Sequence, residues 1–83
     1  MRRDRPKKYY KDPASGWLYT IECYKGLDKT KNGLWKVKKF KDSTTLAYSS
    51  EAANPWQGFK RACRLLDKLA KKKGWEPIIN EGR

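Results

Sequence analysis

Residues 54–74 admit only one regular periodicity. Apolar side chains at Trp56, Phe59, Ala62, Cys63, Leu66, Leu69 and Ala70 recur every three or four positions, the spacing of an amphipathic helix with one buried stripe. The flanks agree. Asn54 suits an N-cap, Pro55 the first helical position, and Gln57 three residues after the cap completes a capping-box pattern. Lys71, Lys72 and Lys73 put positive charge in the last turn, where the helix dipole favours it. Gly74 reads as the stop, with Trp75 folding back as its hydrophobic contact and Pro77 preventing continuation. Such a helix needs a second layer to cover its stripe.

The residues ahead of it supply that layer. Trp17 to Tyr24 is rich in aromatic and β-branched side chains and reads as a strand. Alternation puts Trp17, Tyr19, Ile21 and Cys23 on one face, and Leu18, Thr20, Glu22 and Tyr24 on the other. The polar stretch 25–33 ends in Asn32-Gly33, a turn signal. Leu34 to Lys41 reads as the second strand, with Trp35 and Val37 facing the core and Lys36 and Lys38 opposite. Phe40 falls on the lysine face unless a bulge near Lys38 and Lys39 resets the register. After a turn at Lys41, Asp42 and Ser43, Thr44 to Tyr48 reads as a third strand. The fold class expected is α+β, a three-stranded antiparallel sheet packed against one C-terminal amphipathic helix. Residues 1–13 are expected to form a flexible basic N-terminal arm, 14–75 the β-β-β-α domain, and 76–83 a short tail. A chain of 83 residues has room for one domain.

Several function classes are disfavoured. The chain has no histidine, which removes Ser-His and Cys-His catalysis and the commonest metal ligand. Its carboxylates are scattered: Asp28 and Asp42 in turns, Glu51 before the helix, Asp67 on it, Glu76 and Glu81 in the tail, and Glu22 alone in a strand. None makes a Mg²⁺-binding pair at a recognisable spacing. A non-enzyme with no cofactor and no metal is expected. Two cysteines are too few for a disulfide scaffold or a zinc site. Cys63 in the helix stripe and Cys23 beside Ile21 read as small buried hydrophobes, with a Cys23–Cys63 bridge left open as the alternative. No stretch reaches the ~18 apolar residues of a membrane span, and no signal-peptide segment is visible. A cytoplasmic or nucleoid location, with no membrane partner, follows as the expectation.

Charge indicates what the chain binds. Lys and Arg number 21 against 9 acidic residues, a net +12. On the helix, Lys60, Arg61, Arg64, Lys68, Lys71 and Lys72 fall within about a third of the circumference, opposite the apolar stripe. Ordinary surfaces intersperse both signs, whereas only Asp67 interrupts this one. The sheet face away from the helix would present Thr20, Glu22, Tyr24, Lys36, Lys38, Thr45 and Ala47, with Lys39 and Lys41 close by. Lysines there suit phosphates, although edge lysines also guard against aggregation. Arg2, Arg3, Arg5, Lys7 and Lys8 in the arm could follow a phosphate backbone, and loop residues Lys25, Lys29 and Lys31 could add to it. Trp17, Tyr19, Trp35, Trp56 and Phe59 are expected in the core, which leaves Tyr24, Tyr9 and Tyr10 for base stacking.

With Trp17, Trp35 and Lys36 on a sheet backed by one helix, residues 15–75 resemble a family of small DNA-binding domains. These are the arm-type domains of phage and transposon tyrosine integrases and the related plant apetala-type domain. The resemblance implies major-groove reading by the sheet, and the basic helix departs from it. Lys60, Arg61 and Arg64 near the start of a helix after three strands also resemble double-stranded RNA-binding domains. The leading expectation is a small basic protein that binds duplex DNA, in the manner of a phage or mobile-element regulator. Binding of double-stranded RNA is the runner-up, and inhibition of an acidic host protein is a third reading.

Overall fold

The computed structural model describes residues 9–41, 46–51 and 53–78. Strand β1 (Tyr9–Lys11) is followed by β2 (Leu18–Cys23), β3 (Trp35–Phe40), β4 (Leu46–Tyr48), helix α1 (Phe59–Lys73) and β5 (Glu76–Ile78). The fold is α+β, with one antiparallel sheet and the helix near its C-terminal end. The sheet has five strands in the order β4-β3-β2-β1-β5, which corrects the expected three. The extra strands have three residues each, too few to show alternation in sequence. They exist by pairing: Tyr10 lies opposite both Tyr19 and Pro77, and Tyr9 opposite Ile78. Segments expected to lie outside a 14–75 domain therefore complete its sheet. Pro77 is tolerated because β5 is an edge strand, with one side free of ladder bonds.

The central pair runs without a bulge. Leu18, Thr20 and Glu22 lie opposite Phe40, Lys38 and Lys36, while Tyr19, Ile21 and Cys23 lie opposite Lys39, Val37 and Trp35. Phe40 thus stays on the lysine face, where its ring meets that of Tyr9 edge to face at 6.1 Å. The other face carries the core of Tyr19, Ile21 and Val37 against Ala62, Leu66, Leu69, Ala70 and Trp75. Val37 and Leu66 are the largest side chains wholly removed from solvent, each contributing about 1.5–3 kcal/mol by burial. Trp17, Trp35, Phe59 and Cys63 pack around this centre half-buried. Both cysteines are free thiols.

The helix ends as its sequence indicates but starts later. Gly74 adopts φ 77°, and its N–H bonds to the Ala70 carbonyl. A side chain there would strain the left-handed turn. That turn brings Trp75 back to stack on Tyr19, with ring centroids 3.7 Å apart and 11° between planes. At the other end Gly58, not Asn54, is the N-cap, and no side chain caps it. Sheet contacts claim the expected capping residues instead. Gln57 forms an isolated bridge with Trp35, its N–H donating at 2.9 Å and its carbonyl accepting at 2.6 Å. Asn54 uses its amide like an added strand residue. Its Oδ1 accepts from the Val37 N–H at 3.2 Å, and its Nδ2 donates to the Val37 carbonyl at 3.0 Å. Ala53 before it takes a left-handed conformation, φ 60°, which an alanine adopts only at some cost.

These contacts separate the two possible roles of residues 54–57. Asn54→Ala should lower unfolding stability by about 1–3 kcal/mol, because it strips partners from half-buried backbone groups. Gln57→Ala, which keeps the bridging backbone, should stay within about 0.5 kcal/mol of the parent. Leu66→Ala should cost about 2–5 kcal/mol. Urea unfolding of the three variants measures all of these, and equal losses at Asn54 and Gln57 would support a capping box instead.

Candidate nucleic-acid interface

Among the described residues, the outer face of α1 is strongly one-sided in charge. Lys60, Arg61, Arg64, Lys68, Lys71 and Lys72 are all exposed, and at 1.5 Å rise per residue they span about 18 Å. Asp67, the sole acidic residue of the helix, points elsewhere. Its Oδ1 accepts a hydrogen bond of 2.7 Å from the Tyr10 hydroxyl in a half-buried position. Lys73 lies off the stripe and pairs with Glu51 at 2.6 Å. Strand β1, which brings in Tyr10, thus ties the one carboxylate of the helix to the sheet.

The open face of the sheet, on the opposite side of the molecule, is mixed. Glu22 bridges diagonally to Lys38 at 3.8 Å, and the Lys38 ammonium lies 5.6 Å from the Phe40 ring. The Lys36 ammonium sits over two rings, 5.2 Å from Tyr48 and 5.3 Å from Trp56. Trp56 makes edge contacts with Tyr24 at 5.0 Å and Tyr48 at 5.7 Å. Lys31 lies 5.7 Å from the Tyr24 ring. Tyr24 itself lies against Gly26, where a Cβ would collide with its phenol, and its hydroxyl accepts from the Asp28 N–H at 3.2 Å. A hollow opens between Glu22, Lys38, Ala47 and Tyr48.

Three expectations about this face are corrected, the first at Thr20, which is only 3% exposed and so is not presented to solvent. Ala47 pairs with Lys39, so its side chain lies on the helix side of the sheet. Trp56 belongs to no helical stripe, because the Trp35–Gln57 bridge holds residue 56 in extended chain ahead of α1. Neither Trp56 nor Tyr48 stood among the expected site residues. Asn54-Pro55 was the available signal, since Asn-Pro also favours turns and the residue before proline avoids helix.

The remaining cations are dispersed. Lys39 and Lys41 both lie over Trp17, at 4.8 and 5.0 Å. Lys25 and Lys29 are exposed in the β2–β3 connection, a one-turn 3₁₀ helix (Lys29–Lys31) capped by the Asp28 carboxylate. Arg2, Arg3, Arg5, Lys7, Lys8 and Thr45 lie outside the described residues. The expected site residues thus fall on the helix face, the open sheet face and the sheet's flank, and are not gathered into one patch. Among the described residues no group of three His, Cys, Asp or Glu side chains could hold a metal ion. No helix there is long and apolar enough to cross a membrane. Comparison with protein-family models, curated proteins and solved structures finds no match.

Titration links these contacts to pH. Burial pushes the Tyr48 phenol up, and the charge of Glu22 and a hydrogen bond to it add to the effect. Burial likewise raises Tyr19, helped by Asp12 and Glu51. Lys73 is raised chiefly by its hydrogen bond to Glu51. A group whose folded value lies above its unfolded one contributes stability below the unfolded value and loses it as pH rises through the folded one. All three therefore weaken the fold at the alkaline end. Asp28 is lowered by the Thr30 hydroxyl and then the Thr30 N–H, so its contribution fades as pH falls below the ordinary carboxylate range. The thermal midpoint should be nearly flat from about pH 5 to about pH 9 and fall above about pH 10. Glu51→Gln should make the alkaline fall shallower, which thermal scans across that range would measure.

Proposed function

We propose that this chain is a small non-enzymatic protein that binds duplex DNA, with the outer face of α1 as its principal contact surface. One observation carries the reading: six exposed cations share one helix face while the helix's only carboxylate is held inward by Tyr10. A solubilising surface has no reason to sequester its single counter-charge, whereas a phosphate-binding one does, because each neutralised phosphate releases condensed counterions. Arg61 and Arg64 can meet phosphates bidentately, while the lysines act as point charges. With the sheet behind it, α1 projects as the outermost layer, and a helix fits the major groove, about 12 Å wide. Exposed Lys25 and Lys29 extend the positive field. The contribution of the open sheet face to duplex binding is secondary, because Lys38 is ion-paired with Glu22 and Lys36 is held over two rings.

Gel-shift titrations at several salt concentrations test this. With about six phosphate contacts, log K should fall against log salt with a slope near −5. Arg61→Glu with Arg64→Glu should weaken binding more than Lys36→Glu with Lys38→Glu, although the charge change is the same. The helix pair should also flatten the slope by about 2. The opposite order would make the sheet the duplex-reading face. Tighter binding to duplex RNA than to duplex DNA would move the reading to double-stranded RNA, and no duplex binding at low salt would overturn it.

A further inference from the structure

The open sheet face has a composition that duplex binding by α1 leaves unexplained. Tyr9 and Phe40 meet over its middle, and Tyr24, Trp56 and Tyr48 form a chain of edge contacts at its β4 end. Tyr48 is 45% exposed although it also contacts Trp56. Lysines alternate with these rings: Lys31 beside Tyr24, Lys36 over Tyr48 and Trp56, and Lys38 beside Phe40. Against these three cations stands Glu22, next to the hollow beside Tyr48.

We infer that this face is a second nucleic-acid site, and that it takes an unpaired segment whose base stacks on Tyr48 at the Glu22–Lys38 hollow. Each part has a role in the chemistry of a single strand. An exposed ring offers a π-face to any base, which a paired and stacked duplex base cannot use. The planes of Tyr24 and Tyr48 stand 77° and 76° to that of Trp56, so neither phenol is stacked face to face on the indole. The Glu22 carboxylate, at the rim of the hollow, can accept from the N–H groups of a base edge. Lys36 and Lys38, engaged by the rings and by Glu22 in the free protein, sit beside Tyr48, where the phosphates flanking a stacked base would draw them away. The positive excess selects an anionic chain over an apolar peptide. This site is independent of the duplex reading for α1, since the two surfaces lie on opposite sides of the sheet.

The test compares a ten-residue thymidine strand with an abasic strand of the same length and phosphate number, at equal salt, by fluorescence anisotropy. The protein should bind the thymidine strand about tenfold more tightly, the size expected for one stacked base. Tyr48→Ala should abolish that preference, Tyr48→Phe should retain it, and duplex affinity should be the same in all three proteins. Arg61→Glu with Arg64→Glu should weaken duplex binding yet keep the thymidine preference, so the two sites can fail separately. Equal affinity of the parent protein for thymidine and abasic strands would overturn the inference. So would loss of the preference in Tyr48→Phe, which would assign it to the hydroxyl bond with Glu22 and not to stacking.

Discussion

Everything in this chain hangs on one layer-to-layer contact, the seating of Leu66 and its helix neighbours against Ile21 and Val37 on the β2–β3 pair. A chain this short buries few side chains completely, so the two layers must be held by a narrow seam and braced at its borders. Tyr19 stacked on Trp75 closes one end of the seam. Trp35 against Phe59, centroids 5.0 Å apart, closes the other. Aromatic residues do here what a larger core does with aliphatic bulk. A two-layer fold also has two outer surfaces, and among the described residues the cations of α1 go to one of them and Lys36 and Lys38 to the other.

The parts legible in the sequence were those with a period long enough to repeat. Leu18–Cys23 and Trp35–Phe40 alternate over six residues, and the stripe of α1 repeats over four turns, ending at a glycine whose left-handed geometry the next residue needs. What was not legible depended on partners far away in sequence. Tyr9–Lys11 becomes a strand only because Tyr19 and Ile78 lie on either side of it. Asn54 carries every local mark of a helix cap, and a tertiary contact to Val37, 17 residues distant, outcompetes that role. Once Asn54 is committed to the sheet, Gln57 follows it into a bridge and Trp56 swings to the open face. One asparagine therefore decides that Trp56 leaves the helix stripe for the open face.

The candidate sites show the same division. The helix cations were recoverable from the wheel, because the buried stripe fixes the opposite face. The inward turn of Asp67 was not, since it requires Tyr10 to arrive on a strand of three residues. On the sheet, alternation placed Lys36 and Lys38 correctly. It could not foresee that Glu22 would take up Lys38, or that Trp56 and Tyr48 would hold Lys36. Counting charges overstates how many are available, because pairing and ring contacts decide which cations a phosphate would meet.

The pairing of β1 with β5 has a consequence for how the chain is wired. Tyr9 and Ile78 sit directly across from one another, so the backbone runs from one residue, around the whole fold, and back to its neighbour. The described fold thus begins and ends on neighbouring strands, and an opening in the 25–33 connection would leave the core contacts in place, since no core side chain lies in it. The chain therefore enters and leaves the described fold at one place, on the β5 side of the sheet.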